Sequence, residues 1–328
     1  MLDKFWEAAG EKLADRWAGA SVPAVIFWLG GLLCWISGHG GTSDLRKVAD
    51  WAGKQSALVQ LVILLTVLLG IAASGVIVQR LATVGLRLIE GYWPSFADRL
   101  FRWRTKTIAA KAKSLEDRYQ ELAGPVLEDK SATAAQRAEF AGIDQRLRRF
   151  PVDGDYLPTK TGNIMRAGER RPAEKYGLDA IVVWPRLWLL LPDGTRGELS
   201  QARSALDSAV AALIWGVLFF GFTALAWWAA LVAIAVVLAM YLYWIPDRAA
   251  VFADLLESAF DVHRGLLYQS LRWPLPENPR DEHVSGEQVT SYLLRGLDGD
   301  EPTFTSDTRV LPLQVRRGGR EGGTPGRA

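Results

Sequence analysis

Residues 209–245, a run of 37, contain no Asp, Glu, Lys, Arg or His. As a single helix the run would be about 55 Å long, against a bilayer hydrocarbon core of about 30 Å. One tilted span does not absorb that excess. The block is therefore expected to double back as a helical hairpin, with its turn near Gly221 to Thr223. The alternative is a water-soluble protein with fully buried helices.

A second apolar region lies near the start. Residues 21–37 are uncharged, and after a polar connection residues 57–79 give 23 more without a charge, where a spanning helix needs about 20. The expected fold class is thus an all-α membrane protein with two transmembrane hairpins, 21–79 and 206–245, and a mostly helical domain between them at 80–205. An N-terminal amphipathic helix (1–20), a helical region (246–295) and a disordered tail (296–328) complete the organisation.

Orientation follows from basic residues beside the spans. Between residues 80 and 113 there are eight Lys or Arg and two acidic residues, whereas 38–56 has three basic and two acidic. The segment 80–205, and with it both termini, is expected on the cytoplasmic side. Four acidic residues in the first 20, with no small-residue cleavage site after the apolar run, argue against a cleavable signal peptide. Leu2, Trp6, Ala9, Leu13 and Trp17 recur at helical spacing opposite Asp3, Glu7 and Glu11. That pattern suits a helix lying in the bilayer interface or one packed on the cytoplasmic domain.

The 14 tryptophans fall in a suggestive pattern, with Trp-Pro pairs at Trp93, Trp184 and Trp273 and Trp244 two residues before Pro246. Trp favours the headgroup layer, so Trp93, Trp184, Trp244 and Trp273 are expected to be interface anchors. Residues 96–122 read as one basic amphipathic helix. Its Arg99, Arg102, Arg104 and Lys106 are expected to meet anionic lipid headgroups, each basic group near such a surface contributing about 1 kcal/mol; a merely solvated face is the alternative. Gly124-Pro125 breaks this helix, and 126–150 is helical again. Thr161-Gly162-Asn163 is expected to start a helix through Arg171, with Pro172 opening a second one to Tyr176, capped by Gly177. Residues 180–191 are apolar apart from Arg186 but too short to span. They fit an interfacial or re-entrant segment, or a buried strand or helix.

The string Tyr156-Leu157-Pro158-Thr159, Gly162-Asn163, Tyr176-Gly177-Leu178-Asp179-Ala180 and Trp184-Pro185-Arg186-Leu187-Trp188, with Arg272-Trp273-Pro274-Leu275-Pro276 further on, resembles a block in uncharacterised bacterial four-helix membrane proteins. The resemblance covers about the last half of the chain. It implies a recurrent architecture in the bacterial inner membrane and carries no activity with it.

Residues 246–272 form an amphipathic helix in which Asp254, Glu257, Asp261, Arg264, Tyr268 and Arg272 make one stripe. A solvated face with ordinary ion pairs accounts for it, and Asp254, Glu257, Asp261, Arg264 and Arg272 are the expected surface for a partner. His263 lies about 200° around the helix from Asp261, so a joint metal shell with Glu257 is not expected. The lone Cys34 excludes an intrachain disulfide and a multi-Cys zinc site. No phosphate loop, dinucleotide fingerprint, nucleophile elbow or HExxH is present. Lys160, Arg166, Arg170, Arg171 and Lys175 suggest phosphate or headgroup binding, but Glu169 and Glu174 interleave and favour a mixed surface. A net charge of +2 does not suit a general nucleic-acid binder.

Ion-coupled transport is disfavoured, since the spans carry no ionisable group; Gln60, Thr66, Ser74 and Thr223 are their polar residues. Gly70 with Ser74, and Ala229 with Ala233, suit close helix contact. The first functional expectation is a scaffold, sensor or effector acting through a protein partner or homo-oligomer, without cofactor and not an enzyme. The second is an oligomeric pore. The third is a lipid-acting enzyme using Asp179, Glu257, Asp261 or His263.

Overall fold

A computed structural model describes residues 22–38, 41–128, 131–152, 154–296 and 302–305, with 95–100 as backbone only. The expected N-terminal amphipathic helix and most of the expected tail lie outside the described residues. Among the described residues eleven helices follow one another: α1 Val22–Gly38, α2 Ser43–Gly53, α3 Ala57–Glu90, α4 Ser95–Ala123, α5 Ala134–Leu147, α6 Lys160–Tyr176, α7 Ala180–Leu190, α8 Asp193–Phe219, α9 Trp228–Ala239, α10 Ile245–Ser270 and α11 Pro279–Arg295. Short wider or tighter turns lie at Gly124–Glu128, Phe220–Ala224 and Met240–Trp244. No described residue is in a strand.

Three of these helical stretches are long and apolar enough to cross a membrane: Ala57–Glu90, Asp193–Ala224 and Trp228–Ser270; α1 with α2, bent by 118°, makes a fourth if counted as one span. The first half of α3 shows why a lipid environment suits them. Leu58 is 71% exposed, and Leu61, Leu64, Leu65, Leu68 and Leu69 are also exposed, so this half of the helix presents apolar side chains on several sides. Contiguous apolar surface on that scale is not tolerated in water.

Nearer the middle of the chain the apolar helices pack on each other. Trp28 on α1 donates from Nε1 to Ser74 Oγ on α3 (3.2 Å), and Trp228 donates to Ser37 Oγ (3.2 Å). The Phe27 ring lies 4.7 Å from Trp215 and 5.0 Å from Phe222. Cys34, Ala229 and Ala233 are fully buried against Phe219, as the small-residue spacing of Ala229 and Ala233 predicts. Gly70, by contrast, has none of the described residues within 4 Å of where a Cβ would sit. α8 and α9 run antiparallel, with Gly216 against Val236. Their reversal falls at residues 225–227 and not near Gly221. Residues 220–224 stay helical because Phe222 is held in the ring cluster with Phe27 and Phe219, and the Leu225 amide closes onto Phe222 O (2.9 Å).

One core joins the apolar and polar parts. Val78, Leu86 and Ile89 of α3, Ile164 and Met165 of α6, Leu206 and Val210 of α8, and Ile245, Ala249, Ala250 and Ala253 of α10 form a single buried cluster. The expected boundaries near 80, 205 and 246 fall at or within continuous helical runs, α3 and α8 among them. A second cluster brings Leu178, Val183 and Leu187 onto Leu256, Phe260, Leu267 and Val289. Residues 180–190 are therefore a helix packed on the domain, which removes the strand alternative. Ile181 and Leu189 on its other side are exposed.

Local chemistry sets the ends of α6. Thr159 Oγ1 accepts from the Gly162 amide (3.0 Å), so the helix begins at Lys160, one residue before the expected Thr161. Gly177 closes the helix at φ +68, where glycine is favoured. The break expected at Pro172 does not occur. Pro172 is buried within α6, and packing on α10 and α11 on both sides of it offsets the missing hydrogen bond. Asn163, 1% exposed, accepts from Leu157 N (2.9 Å) and donates to Leu157 O (2.7 Å) and Thr159 O (2.6 Å). Asn163→Ala strands the Leu157 amide and carbonyl, while Thr159 O keeps the residue 163 amide (3.2 Å); the change is expected to cost about 2–3 kcal/mol, read as a lower melting temperature of the detergent-solubilised protein.

The same turn fastens α6 to the end of α3. Thr159 Oγ1 donates to Glu90 O (2.9 Å). Gly91, at φ +98, lies so close to Pro158 that a Cβ there would sit 2.8 Å from the proline ring.

Candidate functional site

Two polar assemblies stand out, and both use α6. The first joins α6 to α10 and α11. Arg171 and Lys175 are one turn apart and both reach Glu257, Lys175 at 2.5 Å. Lys175 also meets Asp261 (3.4 Å), to which the Tyr176 hydroxyl donates (2.6 Å). Arg264 pairs with Glu282 (2.7 Å) while its guanidinium lies 4.1 Å from the Tyr176 ring centre. Burial alone would push the Glu257 carboxyl up, but hydrogen bonds from Lys175 and Arg171 outweigh it and hold the group below the usual carboxylate range. Burial and the hydrogen bond to Asp261 push the Tyr176 hydroxyl up to about 12.

This corrects the reading of the α10 stripe as a solvated partner surface. Glu257 is only 4% exposed and Tyr268 is buried. Asp261 and Arg264 are engaged by α6 and α11, and the Arg272 carbonyl accepts from Thr305 (2.8 Å) while its guanidinium lies over Phe304. Asp254, reaching Arg171 at 3.7 Å, and Arg272 are the stripe's exposed members. Spacing identified the stripe, but its α6 partners lie 85 or 86 residues earlier in the sequence and Glu282 lies 18 residues later.

The proposed enzymatic side chains have separate structural roles. Asp179 caps α7 by accepting from the Ile181 amide (2.8 Å). His263 contacts Thr195 Oγ1 on α8 (3.2 Å), on the side of α10 away from Glu257 and Asp261. Among the described residues, no three His, Cys, Asp or Glu side chains are grouped to hold a metal.

The second assembly is a cleft of about 490 Å³ between the α4–α5 pair and the start of α6. Arg104 and Lys111 enter from α4, Arg146 and Arg149 from the end of α5, and Lys160 from α6, with no carboxylate in the lining. Among the described residues none of these five cations has an ion-pair partner. Ile108, Leu115, Phe150 and Ile164 supply its apolar walls. Arg149 and Lys160 also border an adjoining cavity of about 350 Å³, lined by Leu242, Tyr243, Trp244, Asp247 and Arg248, where the last apolar helix leaves its apolar stretch.

The expected lipid-facing residues divide accordingly. Arg104 lines the cleft, Arg102 and Lys106 are exposed elsewhere on α4, and the Arg99 side chain lies outside the described residues. Arg166 is spent on Asp155 (2.7 Å). Lys111, Arg146 and Arg149 are not legible as a group, because two separate segments deliver them; the excess of basic residues along α4 is the available signal.

The tryptophans separate too. Trp244 is 52% exposed beside Arg248 and Trp93 is half-buried, donating to Leu88 O (2.7 Å). Trp273 is not an interface anchor: it is 3% exposed and packs on Tyr292, because the chain turns inward after α10. Trp184 is partly buried against Phe260 (5.8 Å) and belongs to the same packed cluster.

Compared with family models, curated proteins and solved structures, the chain gives no match.

Proposed function

We propose that this is a multi-pass protein of the bacterial inner membrane with two transmembrane hairpins and both termini cytoplasmic, acting as a scaffold, sensor or effector on a protein partner. The observation that carries this reading is the shared core in which spans and helical domain meet without a linker. An event at one is mechanically presented to the other. Most of the α10 stripe serves internal cohesion, which leaves exposed faces such as α4 for a partner. The hydroxyls in the spans also favour this reading over a pore: Thr66 donates to Val62 O and Ser74 to Ile71 O (both 2.7 Å), within their own helix.

Orientation is tested with cysteines introduced one at a time. Ser131→Cys is expected to resist a membrane-impermeant maleimide in intact cells and to react after permeabilisation, while Lys54→Cys reacts from outside. The native Cys34 is buried and gives no background. The opposite pattern refutes the orientation. Crosslinking in native membranes should then return a reproducible partner, and its consistent absence refutes the scaffold role.

A further inference from the structure

We infer that the cleft between α4, α5 and α6 binds an anionic amphiphile, its phosphate-bearing headgroup held by Arg149 and Lys160 and its hydrocarbon tail leaving past Leu242 to Trp244. Five cations in one cleft repel each other, and among the described residues no carboxylate balances them. The neighbouring cleft that does carry Asp254, Glu257 and Asp261 has Arg148, Arg149 and Arg171 to match, so Arg149 borders both. Arg104, Lys111, Arg146 and Lys160 do not share that cleft, and an anion in the first one relieves their charge. Phosphate oxygens accept several charge-assisted hydrogen bonds at once, which Lys and Arg on three segments are placed to donate.

The apolar walls distinguish an amphiphile from a free ion. Ile108, Leu115, Phe150 and Ile164 give inorganic phosphate nothing to bind. They suit the glycerol and first methylenes of a lipid. Arg149 and Lys160 are shared between the two cavities, so a bound headgroup sits at the opening towards Leu242, Tyr243 and Trp244, all three exposed. Those residues end the last apolar stretch, the level at which lipid headgroups lie. The inference rests on the membrane reading for the source of the ligand but not for the chemistry of the cleft.

The test titrates the full chain, purified in an uncharged maltoside detergent, with dioctanoyl phosphatidic acid, dioctanoyl phosphatidylcholine and inorganic phosphate, by calorimetry. Saturable binding of phosphatidic acid is expected, with inorganic phosphate at least 100-fold weaker and phosphatidylcholine without measurable heat. The double variant Arg149→Gln, Lys160→Gln should weaken phosphatidic acid at least ten-fold without lowering the melting temperature, since neither residue has an internal ion pair. Leu242→Ser should weaken phosphatidic acid and leave inorganic phosphate unchanged. Equal affinities for wild type and double variant overturn the site. Phosphatidylcholine binding as well as phosphatidic acid overturns the role of charge, and phosphate binding as tightly as the lipid overturns the amphiphile. A chain that needs no detergent yet binds phosphatidic acid in this cleft would refute the membrane reading and leave the headgroup site standing.

Discussion

Gly162→Ala is expected to lower stability by about 4 kcal/mol, near the top of the range for single substitutions. A Cβ at this position would lie 1.9 Å from Glu90 O and 2.9 Å from a Leu157 methyl carbon. The first of these is backbone, itself held by Thr159 Oγ1, so it does not swing aside as a side chain would. Alanine in place of glycine gains up to about 1 kcal/mol of helix propensity, too little to offset separation of α3 from α6. Gly265→Ala in α10 serves as the control, because nothing lies within 4 Å of the added carbon. It should leave stability unchanged or raise it by up to about 1 kcal/mol. Thermal unfolding of both variants in detergent decides the matter, and a Gly162→Ala protein as stable as wild type would show that α3 and α6 are not in this close contact.

Glu257→Gln should cost about 3 kcal/mol. Removing one partner of a buried pair leaves the other charges uncompensated, and here Arg171 is nearly buried and Lys175 partly so. The loss has a pH signature. Because the folded carboxyl titrates below its unfolded value of about 4.3, its stabilisation is fully present above that pH and disappears as acid drives the pH through the lower, folded value. Wild-type melting temperature should therefore fall below about pH 4.3, and Glu257→Gln should remove this part of the slope. A variant with an unchanged acid limb would place the titration elsewhere.

The apolar blocks were readable because hydropathy is a local property: a run without charge stays apolar whatever surrounds it. The break at Pro172 was misjudged for the converse reason, since the burial that retains it comes from α10 and α11. The α10 stripe shows the boundary between the two. Helical spacing correctly grouped Glu257 with Asp261, yet nothing in that segment reveals that Arg171 and Lys175 cover them. Trp273 followed the Trp-Pro pattern of Trp93, but the chain beyond α10 folds back over it. The cleft was the hardest to see, because Arg104, Arg149 and Lys160 share no spacing and become neighbours only once α4 and α5 have turned back towards α6.

The single core running from α3 through α6 and α8 into α10 also has a consequence for dissection of the molecule. Leu86, Ile164, Val210 and Ala253 belong to one cluster although they come from four distant stretches of chain. Excising the polar middle at the lipid surface would divide that cluster and expose a raw oily seam on each piece. Neither half would be a self-sufficient folding unit, so whatever the polar portion does must be studied with its apolar helices attached.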